Sequence, residues 1–141
     1  MSQTVQQALS EAKIYSDDLI YRFVQFPANA ITVAAGIVAE ASLPFTALII
    51  DKDEVTLMLP NEVYEEFEKR FKFATINDIQ YRLITFDVVL DPTLIGFMAH
   101  ITHALADVDI SVMPFAAYSR DHIFVAESDF DTAVTTLKSL Q

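Results

Sequence analysis

Three histidines, His100, His103 and His122, stand in a chain that has no cysteine. His100, His103 and Asp107 recur at spacings of three and four, which sets them on the polar side of one helix. Such a trio has metal-ligating chemistry. No second ligand pair is evident, so the expectation is a solvated face, and no metal or cofactor is assigned. Ser119, Asp121 and His122 carry the residue types of a hydrolytic triad. Sequence neighbours seldom reach triad geometry, and the chain has no G-x-S-x-G turn. No catalytic residue is assigned, and the expectation is a protein that is not an enzyme. Asp51, Asp53 and Glu54 surround Lys52 in an acidic turn. It reads either as a solvated hairpin tip or, with Asp53 and Glu54 as candidate ligand residues, as an acidic wall beside a pocket.

The elements that must position these groups come in two copies. The only two glycines, Gly36 and Gly96, lie sixty residues apart. The same offset lays IYSDDLIYRFV (14–24) on ATINDIQYRLI (74–84), matching Asp18 with Asp78, Tyr21 with Tyr81 and Arg22 with Arg82. It also lays AAGIVAE (34–40) on LIGFMAH (94–100). Beyond that the first copy is shorter, and the register returns at 51–67 against 119–134. Two copies that each mix strands and helices do not make a solenoid.

Each copy reads strand, helix, strand, strand, helix. Residues 19–26 and 81–90 are rich in aromatic and β-branched types, hence strands. Leu94, Met98, Ile101, Leu105 and Val108 form an apolar stripe at helical spacing. Residues 45–50 and 54–59 form one hairpin, and 109–118 and 122–126 the other. Pro114 marks its strand as an edge or a bulge. Residues 61–71 and 128–140 close the copies as helices, with Asn61 and Ser128 as candidate N-caps and Glu65–Lys69 and Glu66–Arg70 as i,i+4 pairs. Short strands at 12–15 and 72–75 open the copies. The chain ends on a helix, so these strands are expected to be exchanged: 72–75 closing the first unit and 12–15 the second. Units of 12–72 and 73–141 follow, in an α+β architecture with helices on one face of antiparallel sheets.

Composition narrows the function. A formal net charge of −11 argues against nucleic acid and anionic membranes as partners, since both attract basic surfaces. With 52% hydrophobic residues the chain can bury a sizeable core. The polar N-terminal stretch, with no apolar run, is not expected to act as a signal peptide. Glu40, Ser42, Pro44 and Thr46 interrupt the one long apolar run, so a helix followed by a strand replaces a membrane span. A soluble cytoplasmic protein is the expectation.

In the second copy, L-I-G-F (94–97), A-D-V-D-I-S-V (106–112) and Y-S-R-D-H-I-F-V-A-E-S-D (118–129) follow one another in order. The first copy keeps D-E-V-T-L-M-L-P (53–60). With the duplication, these runs resemble a tandem pair of ACT domains, as in the small two-ACT regulatory proteins related to the cellular arginine sensors. The resemblance implies two ferredoxin-like βαββαβ units and a regulatory role. It also implies an amino acid or similar small ligand, bound near the first strand–helix loop at an inter-unit interface. An exposed apolar edge or helix face would then receive a second chain, so a homodimer is the expectation. The resemblance makes Asp91, Leu94, Ile95 and Gly96 candidate ligand residues, with Ser111 and Val112 on the adjacent strand. Asp121 would meet a ligand ammonium or guanidinium. The first copy has no polar loop around Gly36, so one site per chain is expected. The alternative is a ligand-free oligomerisation or protein–protein interaction module. Gly96 itself has two readings, a ligand loop that needs close backbone approach or close packing inside a helix begun at Asp91-Pro92.

Overall fold

The computed structural model describes residues 2–41 and 44–141. Ser42, one of the polar breaks in the long apolar run, lies outside the described residues. The elements run α1 (Val5–Glu11), β1 (Lys13–Tyr15), β2 (Ile20–Pro27), α2 (Ile31–Glu40), β3 (Ala47–Ile50), β4 (Glu54–Pro60) and α3 (Asn61–Glu66). They continue through β5 (Thr75–Asp87), α4 (Phe97–Ala106), β6 (Met113–Ala116), β7 (Asp121–Ala126) and α5 (Phe130–Ser139). A 3-10 turn follows α3 at Glu68–Phe71 and another precedes α5 at Glu127–Asp129.

The chain divides into two compact units, Leu19–Tyr81 and a second made of the residues up to Asp18 with Arg82–Gln141. Both are mixed α+β units of ferredoxin-like βαββαβ type. In the Leu19–Tyr81 unit the strands lie in the order β3-β4-β2-β5. In the other unit the order is β6-β7-β5-β1, the same arrangement of second, third, first and fourth strands. Its fourth strand, β1, comes from the start of the chain. It pairs antiparallel with β5, with Lys13 opposite Asp87 and Tyr15 opposite Thr85.

Strand alternation decides each core. In the Leu19–Tyr81 unit, Val24 and Phe26 of β2 and Val55, Leu57 and Leu59 of β4 bury their side chains with Ile37 of α2. In the other, Ile84 and Phe86 of β5 and Ile123 and Val125 of β7 pack with Ile101 and Leu105 of α4. Leu9 of α1 joins this second core at 1% exposure, a burial that stabilises by roughly 1.5–3 kcal/mol. The duplicated arginines keep parallel roles. Arg22 lies over the Tyr64 ring at 5.3 Å and donates to Asn61 Oδ1. Arg82 lies over the Phe130 ring at 3.8 Å and pairs with Asp18 at 2.9 Å.

Several expected boundaries differ. In place of separate strands at 72–75 and 81–90 there is one strand of 13 residues, Thr75–Asp87, because nothing in that span breaks the chain: it holds neither Gly nor Pro. Asn61 is the first residue of α3 rather than its N-cap, and hydrogen-bonds Glu65 across one turn. Ser128 sits in the 3-10 turn, and Asp129 precedes α5. Arg70 pairs with Glu40 rather than with Glu66. Helix α4 ends at Ala106, and Asp109 at φ 60° turns the chain, so Val108 is left exposed and Ile110 enters the core instead. The N-terminal stretch, read only as polar, forms α1. Its capping box joins Thr4 Oγ1 to the Gln7 N–H and Gln7 Oε1 to the Thr4 N–H. No helix among the described residues is long and apolar enough to cross a membrane.

Candidate functional site

The segment from β5 to α4 is built by local turn chemistry. Asp91 Oδ1 accepts from both the N–H and the hydroxyl of Thr93, at 2.8 and 2.7 Å, forming an Asx turn. The Leu94 N–H donates to Asp91 O at 2.9 Å and closes that turn. Thr93 holds the Asp91 carboxyl below the usual carboxylate range. Gly96 then adopts φ +89° and serves as the N-cap of α4, with its carbonyl accepting from the His100 N–H at 3.0 Å. A Cβ added at Gly96 would meet nothing within 4 Å. Close packing inside a helix is therefore corrected: the position calls for glycine because of its left-handed backbone.

That backbone start leaves the N–H groups of Phe97, Met98 and Ala99 without an acceptor among the described residues. They sum with the helix dipole into a partial positive charge at the start of α4. Facing them is the turn that joins β6 to β7. The Ala117 N–H donates to Arg120 O at 2.9 Å and sets this turn. Two ties fix it to the β5 end. The Leu90 N–H donates to Ser119 O at 2.8 Å, and Arg120 Nε donates to Asp87 Oδ1 at 2.8 Å.

Between these pieces lies a cavity of about 340 Å³. Asp91, Leu94, Gly96, Met98, Arg120 and Asp121 are among its lining residues, all within Arg82–Gln141. Partial burial pushes the Asp121 carboxyl up, against a smaller opposing pull from His122. No described residue donates a hydrogen bond to that carboxylate. At neutral pH the cavity therefore offers unpaired N–H donors on one wall and carboxylates on others. This is complementary to a small zwitterion.

Asp91, Leu94, Gly96 and Asp121 are thus brought together. Ile95 turns outward at 90% exposure. Ser111 and Val112 precede β6, and Val112 packs on the core. The register that sets Ala116 opposite Asp121 and Met113 opposite Phe124 carries them away from Asp121. Asp53 and Glu54 belong to the Leu19–Tyr81 unit. There Asp53 pairs with Lys52, while Glu54 accepts from Gln25 and lines a separate depression of about 290 Å³ with Phe23, Thr56 and Asn77. Arg120 was not singled out from the sequence, although its place in the tip Ser119–Arg120–Asp121 was the available signal.

The other chemistry-bearing groups are dispersed. Asp121 and His122 are successive residues of β7, so their side chains leave opposite faces of the strand. His122 Nδ1 lies 2.8 Å from Thr85 Oγ1, and burial pushes its pKa down. His103 and Asp107 approach at 3.5 Å with both side chains exposed. No group of three or more metal-ligating side chains gathers among the described residues.

No curated protein matches the sequence. Among solved structures, a protein of unknown function from Vibrio cholerae, described as a possible transport protein, superposes with a TM-score of 0.75 at 22% identity, over 97% of this chain and 95% of that one. A structure of aspartokinase alpha and beta subunits gives 0.69 at 14% identity, over 90% and 95%. The ligand-free regulatory subunit of aspartate kinase from Thermus thermophilus gives 0.67 at 12% identity, again over 90% and 95%. At these identities the likeness establishes the fold. Residues 78–139 match the ACT domain family model, a span that holds every residue lining the cavity.

Proposed function

We propose that the protein is a non-enzymatic regulatory module that senses a small molecule, and that an amino acid is bound in the cavity beside Gly96. The observation that carries this reading is the convergence of the unpaired N–H groups of α4 and the unpartnered Asp121 carboxylate on one cavity. The ligand carboxylate would lie at Phe97, Met98 and Ala99, and its ammonium at Asp121. The ACT match over 78–139 supports a role in ligand-dependent regulation. Occupation would act by population shift, favouring whichever packing or assembly holds the ligand better. A homodimer is the assembly we favour, in a cytoplasmic setting.

Titration of the twenty amino acids by thermal shift tests the reading. A ligand at about 100 times its Kd should stabilise the protein by about 2.7 kcal/mol. Absence of a response to every amino acid removes it. A second reading, a ligand-free interaction module, draws on Ile95 at 90% exposure and a fully exposed Tyr118 beside the same cavity. Against it, Phe97 does not fill the cavity: its ring packs edge-on against Phe86 at 5.4 Å in the core. Phe115 likewise packs on Phe124.

A further inference from the structure

The wall of the cavity is held from behind by the start of the chain. Leu90, Asp91 and Pro92 line the cavity on one side and, on the other, a shallow groove shared with Gln3, Gln7 and Glu11. In that groove the side-chain amide of Gln3 makes two bonds to the wall. Its Nε2 donates to Val89 O at 3.2 Å, and its Oε1 accepts from the Asp91 N–H at 2.9 Å. A planar amide that donates and accepts on the same short segment fixes that segment's orientation as well as its position.

Gln3 is itself well placed to hold. The next residue, Thr4, caps α1 through its reciprocal bonds with Gln7. Ala8 and Leu9 of α1 are buried with Phe97, Ile101 and Leu105 of α4. The C-terminal Gln141 side chain donates to the carbonyls of Leu9 and Ala12 at the other end of α1. One short helix therefore braces both walls: α4 through apolar packing, and the Asp91 turn through Gln3.

We propose that the N-terminal segment is a positioning element of the cavity, and that Gln3 sets the Asp91 turn, and through it the Gly96 helix start, in the geometry that receives a ligand. This rests on the reading of the cavity as an amino-acid site. Neither Gln3 nor α1 touches the ligand in this scheme. A site held this way loses affinity when the brace is cut, because the ligand must then order the loop itself.

The test compares wild type with Gln3→Ala and Gln3→Glu in the full chain. Glu at this position keeps the acceptor for the Asp91 N–H and loses the donor to Val89 O, so it removes half of the clamp. Hydrogen exchange is read at Leu94 and His100, whose N–H groups close the turn and open α4 without touching Gln3. In Gln3→Ala, exchange at both should rise about tenfold while amides of β2 and β4 stay unchanged, with Gln3→Glu intermediate. The Kd for the amino acid that wild type binds should rise in the same order, about tenfold for Gln3→Ala. Unchanged exchange at Leu94 and His100, or unchanged affinity, overturns the proposal. Exchange is read on the free protein, so it judges the clamp even where no amino acid binds wild type. In that case the ligand reading alone has failed.

Discussion

Replacing each glycine by alanine should move stability in opposite directions, although the two sit at matched positions of the duplication. Gly36 lies inside α2, its φ is not positive, and an added Cβ meets nothing within 4 Å. Alanine there removes the helix penalty of glycine and restricts the unfolded chain, so Gly36→Ala should stabilise by about 0.5–1 kcal/mol. Gly96 is equally open in space but sits at φ +89°. A Cβ in that left-handed conformation costs roughly 1–2 kcal/mol, with no clash to add. The two variants should therefore differ by about 1.5–3 kcal/mol, the sum of those ranges. For a chain this size that is roughly 5–10 °C in Tm. Urea unfolding of both variants against wild type measures it. Two variants that shift the same way, or a stabilised Gly96→Ala, would refute the reasoning, because either outcome puts Gly96 in an ordinary helical conformation.

Other consequences follow from single contacts. Asp121→Asn should stabilise the free protein at neutral pH, because the folded state raises this carboxyl's pKa and so carries a cost when it is charged. Wild-type stability gains as pH falls through the folded value, so the advantage of the variant should shrink there, while its thermal response to amino acids should be lost at every pH. Arg82→Ala should cost about 1–2 kcal/mol, since its side chain is 15% exposed and its guanidinium covers the Phe130 ring. Asp18→Asn, at a side chain that is 85% exposed and on a left-handed backbone that Asn tolerates, should cost under about 1 kcal/mol by chemical denaturation. Residues 72–141 expressed alone lack β1 and the buried Ala8 and Leu9 of their unit. They should show no cooperative unfolding by circular dichroism, and addition of a peptide of residues 1–18 should restore it.

The fold was largely legible because period and duplication agree. Ile84, Phe86, Ile123 and Val125 alternate as buried strand residues must, and Ile101 and Leu105 keep helical spacing. The misses have local causes. Asp91-Pro92 carries the same residues whether it opens a helix or an Asx turn, so the left-handed backbone at Gly96 was hidden. Reading the strand before the second hairpin tip as 109–118 put Ser111 on it, whereas only Met113–Ala116 pair with β7. Helix α1 announces itself in Thr4 and Gln7, yet Val5, Ala8 and Leu9 are too few for its apolar face to stand out. The clamp by Gln3 joins residues 86 and 88 positions apart. No local pattern marks such a contact.

The central claim is that an amino acid lies between the start of α4 and Asp121. An amide NMR titration with the amino acid that gives the largest thermal shift tests it most directly. Saturable shifts are expected to centre on Phe97, Met98, Ala99 and Asp121, and to be absent from Asp121→Asn. Saturable shifts confined to other residues, or none with any amino acid, would contradict it.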